Sequence, residues 1–118
     1  MSLVKISHKT EGQLTITVFH IMDRVNLGNY QEIEKVAKEE YEKGMRNLVI
    51  DLTESDSLTS IGIRAIITVS KMLVKDNGKH LKIAGAIPPI RDMLGIAGVT
   101  QFIDIHDTVD DAAAAFAS

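Results

Sequence analysis

The chain of 118 residues contains no cysteine, which excludes disulfide bonds and thiolate-ligated metal centres. The missing thiols also rule out thiol-based redox chemistry and agree with a reducing compartment. Aromatic residues make up only 4% of the sequence, so the core is predicted to consist mainly of aliphatic side chains. Stability must therefore come from the burial of aliphatic surface rather than from covalent cross-links.

Long hydrophobic runs are absent as well. No segment approaches the roughly eighteen consecutive apolar residues of a membrane-spanning helix. The first residues lack the charged segment, apolar stretch and small-residue cleavage site of a secretory signal. We therefore expect a soluble, cytoplasmic protein without a membrane partner.

A strong charge of either sign is also lacking, since 13 basic and 16 acidic residues give a formal net charge of -3. Such a chain carries no overall electrostatic footprint for nucleic acid, and we expect no nucleic-acid partner. One local group of lysines is interpreted as a solvated helix end with the loop after it, because lysines suit helix C-termini. The group consists of Lys71, Lys75, Lys79 and Lys82.

What is present has the composition of an ordinary globular protein, 45% apolar and 25% charged, and the length of one domain, residues 1–118. Alternating apolar and polar residues predict an antiparallel hairpin made of Val4–Lys9 and Gln13–Phe19. After Asp23, apolar residues recur at three- and four-residue intervals and predict an amphipathic helix that ends near Gly44. Its inward positions are predicted to be Leu27, Tyr30, Ile33, Val36, Ala37 and Tyr41.

The second half of the chain alternates strands and helices. A buried strand is predicted over Leu48–Leu52, followed by a helix from Ser60 whose apolar run reaches Leu73 and which stops at Asn77–Gly78. After a strand over Leu81–Ala84, the prolines Pro88 and Pro89 suit the start of a short helix that includes Ile90 and Ala97 and is ended by Gly98. The last predicted elements are a strand over Phe102–Ile105 and a terminal helix capped by Asp107 and Thr108. Parallel crossovers are right-handed, so the loops after parallel strands gather along one edge. The predicted fold class is α/β, a mixed sheet of about five strands with about four helices.

The loop after the Leu48–Leu52 strand is followed by a serine, Ser60, at the predicted start of a helix. Ser60 lies beside backbone N–H groups that have no partner inside the helix, and the helix dipole adds about half a positive charge there. An oxygen or a phosphate is favourable at this position. Serine is also a common helix cap, a role that Thr59 or Ser57 could share. Gly62 weakens the first turn by about 1 kcal/mol relative to alanine, which indicates a close approach to the backbone or close packing.

The segment Thr59-Ser60-Ile61-Gly62-Ile63-Arg64, after a buried strand and a short loop, resembles the STAS domain of bacterial anti-sigma factor antagonists. Asp23 and Asn26 look like that family's first strand-to-helix corner, and the resemblance covers nearly the whole chain. The usual motif reads Asp-Ser-x-Gly. Here Thr59 stands at the aspartate position, Ile61 at a position that is frequently serine, and His20 where the family often has glycine.

The resemblance implies both a fold and a function. The fold is a single STAS-like domain. The implied function is to bind an anti-sigma factor with serine kinase activity and to be switched off by phosphorylation at Ser60. Because the kinase activity and its ATP would belong to the partner, no enzyme activity and no cofactor are expected of this chain. The implied contact residues are Asp23, Asn26, Thr59, Ser60, Ile61, Gly62 and Arg64.

Other functions stay open at this point. Ser60 could be only a helix cap in a regulatory scaffold that is never phosphorylated. The same fold could handle a small ligand or a lipid in a cleft beside the helix start. A homodimer could form through exposed sheet edges or apolar helices.

Enzyme and metal sites are poorly supported. The acidic residues Asp51, Glu54 and Asp56 suggest Mg²⁺, but that ion wants further oxygen ligands and a phosphate, and we expect no metal site. The four histidines lie on different elements without zinc-site spacing and are interpreted as surface or packing residues. Ser60 lacks the Gly-x-Ser-x-Gly elbow of a hydrolase nucleophile, and no histidine is marked as its base.

Overall fold

The structure, a computed structural model, describes residues 2–74 and 81–117. Within these ranges the chain has five strands and four α-helices, and the predicted α/β class is confirmed. The elements are β1 (Val4–Glu11), β2 (Leu14–Ile21), α1 (Tyr30–Glu42), β3 (Leu48–Asp51), α2 (Ser60–Val74), β4 (Leu81–Ala84), α3 (Pro88–Ile96), a 3₁₀ turn (Val99–Gln101), β5 (Asp104–His106) and α4 (Val109–Ala115). None of the helices in the described ranges is both long enough and apolar enough to span a membrane.

The five strands form one sheet in the order β1-β2-β3-β4-β5. β1 and β2 are an antiparallel hairpin whose turn lies at Gly12, where φ is 61°. From β2 onward each strand is parallel to the next. The carboxyl ends of β2 to β5 therefore lie along one border of the sheet, which we call the carboxyl edge.

The two faces of the sheet are covered unequally. In β3, Leu48 and Ile50 point to a large aliphatic core shared with α1, α2 and α3, whereas Val49 points to a smaller cluster under α4. All four residues of β3 are buried, as its predicted position inside a parallel sheet requires. We refer to the two sides as the three-helix side and the α4 side.

The start of the first helix differs from the prediction. α1 begins at Tyr30, and Leu27, predicted to face inward, lies before the helix with 77% of its surface exposed. The backbone carbonyl of Asn26 accepts hydrogen bonds from the N–H groups of Asn29 and Tyr30, and its side chain accepts one from Gly28 N. This turn replaces the first helical turn that the apolar spacing predicted, because asparagine and glycine favour such local bonds.

Two details of the second half also differ. Phe102 closes the 3₁₀ turn with 58% of its surface exposed, and β5 begins at Asp104 rather than at the predicted Phe102. Lys82, interpreted as solvated, is buried on β4, where its ammonium bonds to Asp104 at 3.0 Å and lies 5.1 Å from the ring centre of Phe116. The predicted stop at Asn77–Gly78, with Lys75 and Lys79, lies outside the described residues.

Candidate partner-binding site at the carboxyl edge

The loops that follow β2 and β3 are joined at the carboxyl edge. The Arg24 guanidinium donates to the Ser57 hydroxyl from Nε at 3.2 Å and from Nη2 at 3.0 Å. The Thr59 hydroxyl donates to the backbone carbonyl of Val25 at 2.8 Å. These bonds hold the corner after β2, which also contains Asp23 and Asn26, against the start of α2.

Thr59, and not Ser60, caps α2. Its Oγ1 accepts a hydrogen bond from Gly62 N at 3.1 Å, and its backbone carbonyl accepts one from Ile63 N at 3.0 Å. Ser60 is the first residue of the helix and is exposed. Across the part of the chain that the structure describes, no group hydrogen-bonds to its hydroxyl. The capping role that the sequence left open between these residues thus falls to Thr59, and the Ser60 hydroxyl is available to solvent.

Gly62 is buried in the first turn of α2. A Cβ atom at this position would lie 2.7 Å from Leu58 Cδ1 and 3.3 Å from Val25 Cβ. The missing side chain therefore lets the helix start pack closely on Leu58 and Val25. The close approach that the sequence indicated is internal packing, and Gly62 shapes the site rather than presenting a surface of its own.

The other predicted contact residues are on the surface. Asp23 is exposed, and its Oδ1 accepts from Arg24 N at 2.7 Å, while Asn26 organises the turn before α1. Arg64 is exposed one turn after Ser60, and Ile61 is half-buried. The structure thus brings Asp23, Asn26, Thr59, Ser60, Ile61 and Arg64 together around one corner of the domain.

A shallow groove of about 300 Å³ runs between α1 and α2 beside this corner. Its walls combine the exposed Leu27 with Tyr30, Ile61 and the charged Arg64 and Glu34. Sequence reasoning missed Leu27 as a surface residue, because its spacing from Tyr30 fits an inward helical position. The Asn-Leu-Gly-Asn order around it was the available signal for a turn.

A polar network lies on the α4 side of the sheet, beneath the carboxyl edge. His20 on β2 and Asp51 on β3 are register neighbours, and His20 Nδ1 lies 2.6 Å from Asp51 Oδ2. The other carboxylate oxygen of Asp51 accepts from the backbone N–H of Thr53 at 3.0 Å and from its hydroxyl. Burial would raise the pKa of Asp51, but the hydrogen bonds from Thr53 and His20 outweigh it and lower that pKa. Asp51 is therefore a structural carboxylate at neutral pH.

The geometry defines a small α/β domain with an exposed serine at a helix start beside a partly apolar corner. A model of the STAS domain family matches residues 7–112, and the chain belongs to that family. The family assignment made from the Thr59–Arg64 segment is thus confirmed.

Individual relatives agree with this assignment. The chain is 30% identical over 92 residues, 78% of each protein, to BtrV of Bordetella bronchiseptica, which is named as an anti-sigma factor antagonist. The fold of the present chain is similar to that of a Thermotoga maritima protein also named as an anti-sigma factor antagonist. The TM-score is 0.83 at 16% identity, covering 96% of this chain and 95% of that one. The Bacillus cell fate determinant SpoIIAA, solved in its phosphorylated form, gives a TM-score of 0.68 at 10% identity, covering 92% of this chain and 96% of that one. At such identities the structural likenesses show the fold alone.

Proposed function

We propose that this protein is an anti-sigma factor antagonist that binds a cytoplasmic anti-sigma factor with serine kinase activity, and that phosphorylation of Ser60 ends this binding. The observation that carries the proposal is the exposed Ser60 hydroxyl at the first position of α2, free of any capping role because Thr59 supplies the cap. The name of the Bordetella relative and the phosphorylated state of SpoIIAA support the same function.

A phosphate on Ser60 is compatible with the fold. It would add about two negative charges at the N-terminus of a 15-residue helix, where unpaired N–H groups and the helix dipole favour an anion. The cap formed by Thr59 does not use the Ser60 oxygen, so it can persist after modification. The expected structural change in the domain itself is therefore small.

The partner surface would respond more strongly. The proposed contact surface combines the exposed Leu27 and the half-buried Ile61 with the polar Asp23, Asn26 and Arg64. A dianion at the centre of this surface must be desolvated on binding, and it repels any carboxylate of the partner. A change of about 3 kcal/mol, which these effects can supply, lowers affinity about a hundredfold.

Affinity capture with four baits tests the proposal: the wild type, Ser60→Ala, Ser60→Asp and Thr10→Asp. Thr10→Asp is the matched control, because it adds the same charge at an exposed position of β1 next to the hairpin turn, at the border of the sheet opposite the carboxyl edge. We expect a kinase-like anti-sigma factor to bind every bait except Ser60→Asp. Incubation of that partner with the wild type and ATP should place phosphate on Ser60 in peptide mass spectra.

Two results would contradict the proposal. If all four baits retain the same proteins, or none retains a kinase, the Ser60 hydroxyl is not a switch, and the scaffold or ligand-handling alternatives gain support. If the partner phosphorylates a residue other than Ser60, the antagonist function survives but the switch lies elsewhere. Aspartate carries less charge than a phosphoserine, so the phosphorylated protein should bind more weakly than Ser60→Asp.

A further inference from the structure

Three polar side chains on neighbouring strands form a hydrogen-bonded chain on the α4 side of the sheet. Ser7 on β1, His20 on β2 and Asp51 on β3 all point to this side. Ser7 Oγ lies 2.7 Å from His20 Nε2, and His20 Nδ1 lies 2.6 Å from Asp51 Oδ2. The chain uses neither Ser60 nor any other residue of the proposed contact surface.

The Asp51 carboxylate determines which atom donates in the His20–Asp51 bond. Its pKa is lowered, so at neutral pH the carboxylate is ionised and can only accept hydrogen bonds. The bond between these two side chains is therefore donated by His20 Nδ1–H. In the tautomer that carries its single proton on Nδ1, His20 accepts the Ser7 hydroxyl at Nε2. The atoms are arranged in the same order as in Ser-His-Asp hydrolases, where the imidazole takes the serine proton.

The chain opens into a cleft of about 330 Å³, large enough for a small acyl group. Ser7 and His20 both line this cleft, together with the exposed Met22 and the ammonium-bearing Lys5. Lys5 stands opposite His20 in the β1–β2 register and brings a positive charge to the cleft that Ser7 lines, and a cation near a reacting carbonyl would stabilise an oxyanion. Met22 supplies an apolar wall.

We propose that Ser7 is an activated nucleophile that accepts an acyl group from a small activated ester or thioester, with His20 as its general base and Asp51 as the residue that positions His20. In this step Ser7 Oγ forms a bond to the acyl carbon, and the bond from that carbon to the leaving oxygen or sulfur breaks. The Ser7 proton passes to His20 Nε2 and then to the leaving group. The product is a Ser7 ester on the cleft wall.

Acetylation by p-nitrophenyl acetate tests this proposal, with the modified residue located by peptide mass spectrometry and the rate followed from nitrophenolate release. We expect one acetyl group on Ser7 of the wild type and none on Ser7→Ala. His20→Gln should slow Ser7 acetylation by roughly a hundredfold or more, the usual contribution of a general base. Ser55→Ala, a half-buried serine of the β3–α2 loop, is the matched control and should react like the wild type.

The positioning role of Asp51 is tested by the pH dependence of the acetylation rate, which a general loss of packing would not change. In Asp51→Asn the rate of Ser7 acetylation should fall, and the dependence of this rate on pH should change, because the charged partner of His20 Nδ1 is removed. The other charged groups that line the cleft with His20 are Lys5 and Glu54, and both are unchanged in this variant. Circular dichroism on each variant identifies any that fail to fold, and His20→Ala with added imidazole then tests the base by chemical rescue.

The proposal is overturned if Ser7 stays unmodified while Lys5 or other amines are acetylated. It is equally overturned if Ser7 of folded His20→Gln reacts at the wild-type rate, because the hydrogen-bonded chain would then be only a structural contact between strands. These outcomes do not depend on Ser60 or on any anti-sigma factor.

Discussion

Gly85, in the loop after β4, is predicted to be the glycine least tolerant of alanine in the described part of the chain. Its φ is +75°, and an added Cβ would lie 2.3 Å from Thr53 Oγ1, 3.1 Å from Thr53 N and 3.1 Å from Asp51 Oδ1. The left-handed backbone alone costs a residue with a Cβ about 1–2 kcal/mol. Displacing Thr53 would also weaken its bonds to the Asp51 carboxylate, and bonds to a charged group contribute about 1.5–3 kcal/mol. We expect Gly85→Ala to lower the free energy of unfolding by about 3–5 kcal/mol.

Gly98 provides the matched control. Its φ is +80°, nearly the same as that of Gly85, but a Cβ there would meet nothing within 4 Å. Gly98→Ala should therefore cost only the backbone strain, about 1–2 kcal/mol. Urea denaturation of both variants gives the loss of unfolding free energy in each. Because a loss of 1 kcal/mol lowers the melting temperature by roughly 4 °C in a domain of this size, thermal melting should also separate the two variants clearly. Equal losses would refute the crowding argument, and an unchanged Gly85→Ala would refute both parts of it.

The capping threonine and the buried carboxylate both stabilise the fold. Thr59→Ala should destabilise the domain by about 1–2 kcal/mol, because it removes the cap of α2 and the bond to Val25 O. Urea denaturation should show that Thr59→Ser, which keeps the hydroxyl, is much closer in stability to the wild type. Equal losses of stability in both variants would show that the hydroxyl is not the cause. The lowered pKa of Asp51 stabilises the fold above the unfolded-state pKa, about 3.9, and this stabilisation is lost as pH falls through the folded pKa. The free energy of unfolding should thus fall more steeply on acidification in the wild type than in Asp51→Asn. Glu32 and Asp104, whose pKa values are also lowered, contribute equally to both proteins. Identical slopes of unfolding free energy against pH would contradict this role of Asp51.

The order of elements could be predicted from the sequence because strands and helices differ in the spacing of their apolar residues. The four-residue β3 is hydrophobic on both faces, and α2 repeats its apolar residues every three or four positions. The same rule failed at Leu27, where local bonds of Asn26 and Gly28 outweigh a helical spacing. Periodicity describes burial along one element and does not detect a competing turn.

Side-chain contacts between neighbouring strands could not be predicted from the sequence. His20 and Asp51 are 31 residues apart and meet only through the β2–β3 register, while Ser7 reaches His20 through the hairpin. Lys82 was misplaced for a related reason. Its charge predicts exposure to solvent, but on β4 the side chain faces the α4 side, where it forms an ion pair with Asp104 and lies over the Phe116 ring. Alternation along a strand predicts the side of the sheet to which each side chain points. Which side chain it contacts there depends on the order and register of the neighbouring strands.

Capping by Thr59 has a consequence for how this protein can change by mutation. Two neighbouring hydroxyl residues carry separate duties, one fixing the helix start and the other facing solvent. Under the proposed switch, replacement of Ser60 by alanine gives a permanently active antagonist at little loss of stability, whereas replacement of Thr59 weakens the fold and leaves the phosphorylation site in place. Selection can therefore tune the duration of the signal at one position and the robustness of the domain at the next.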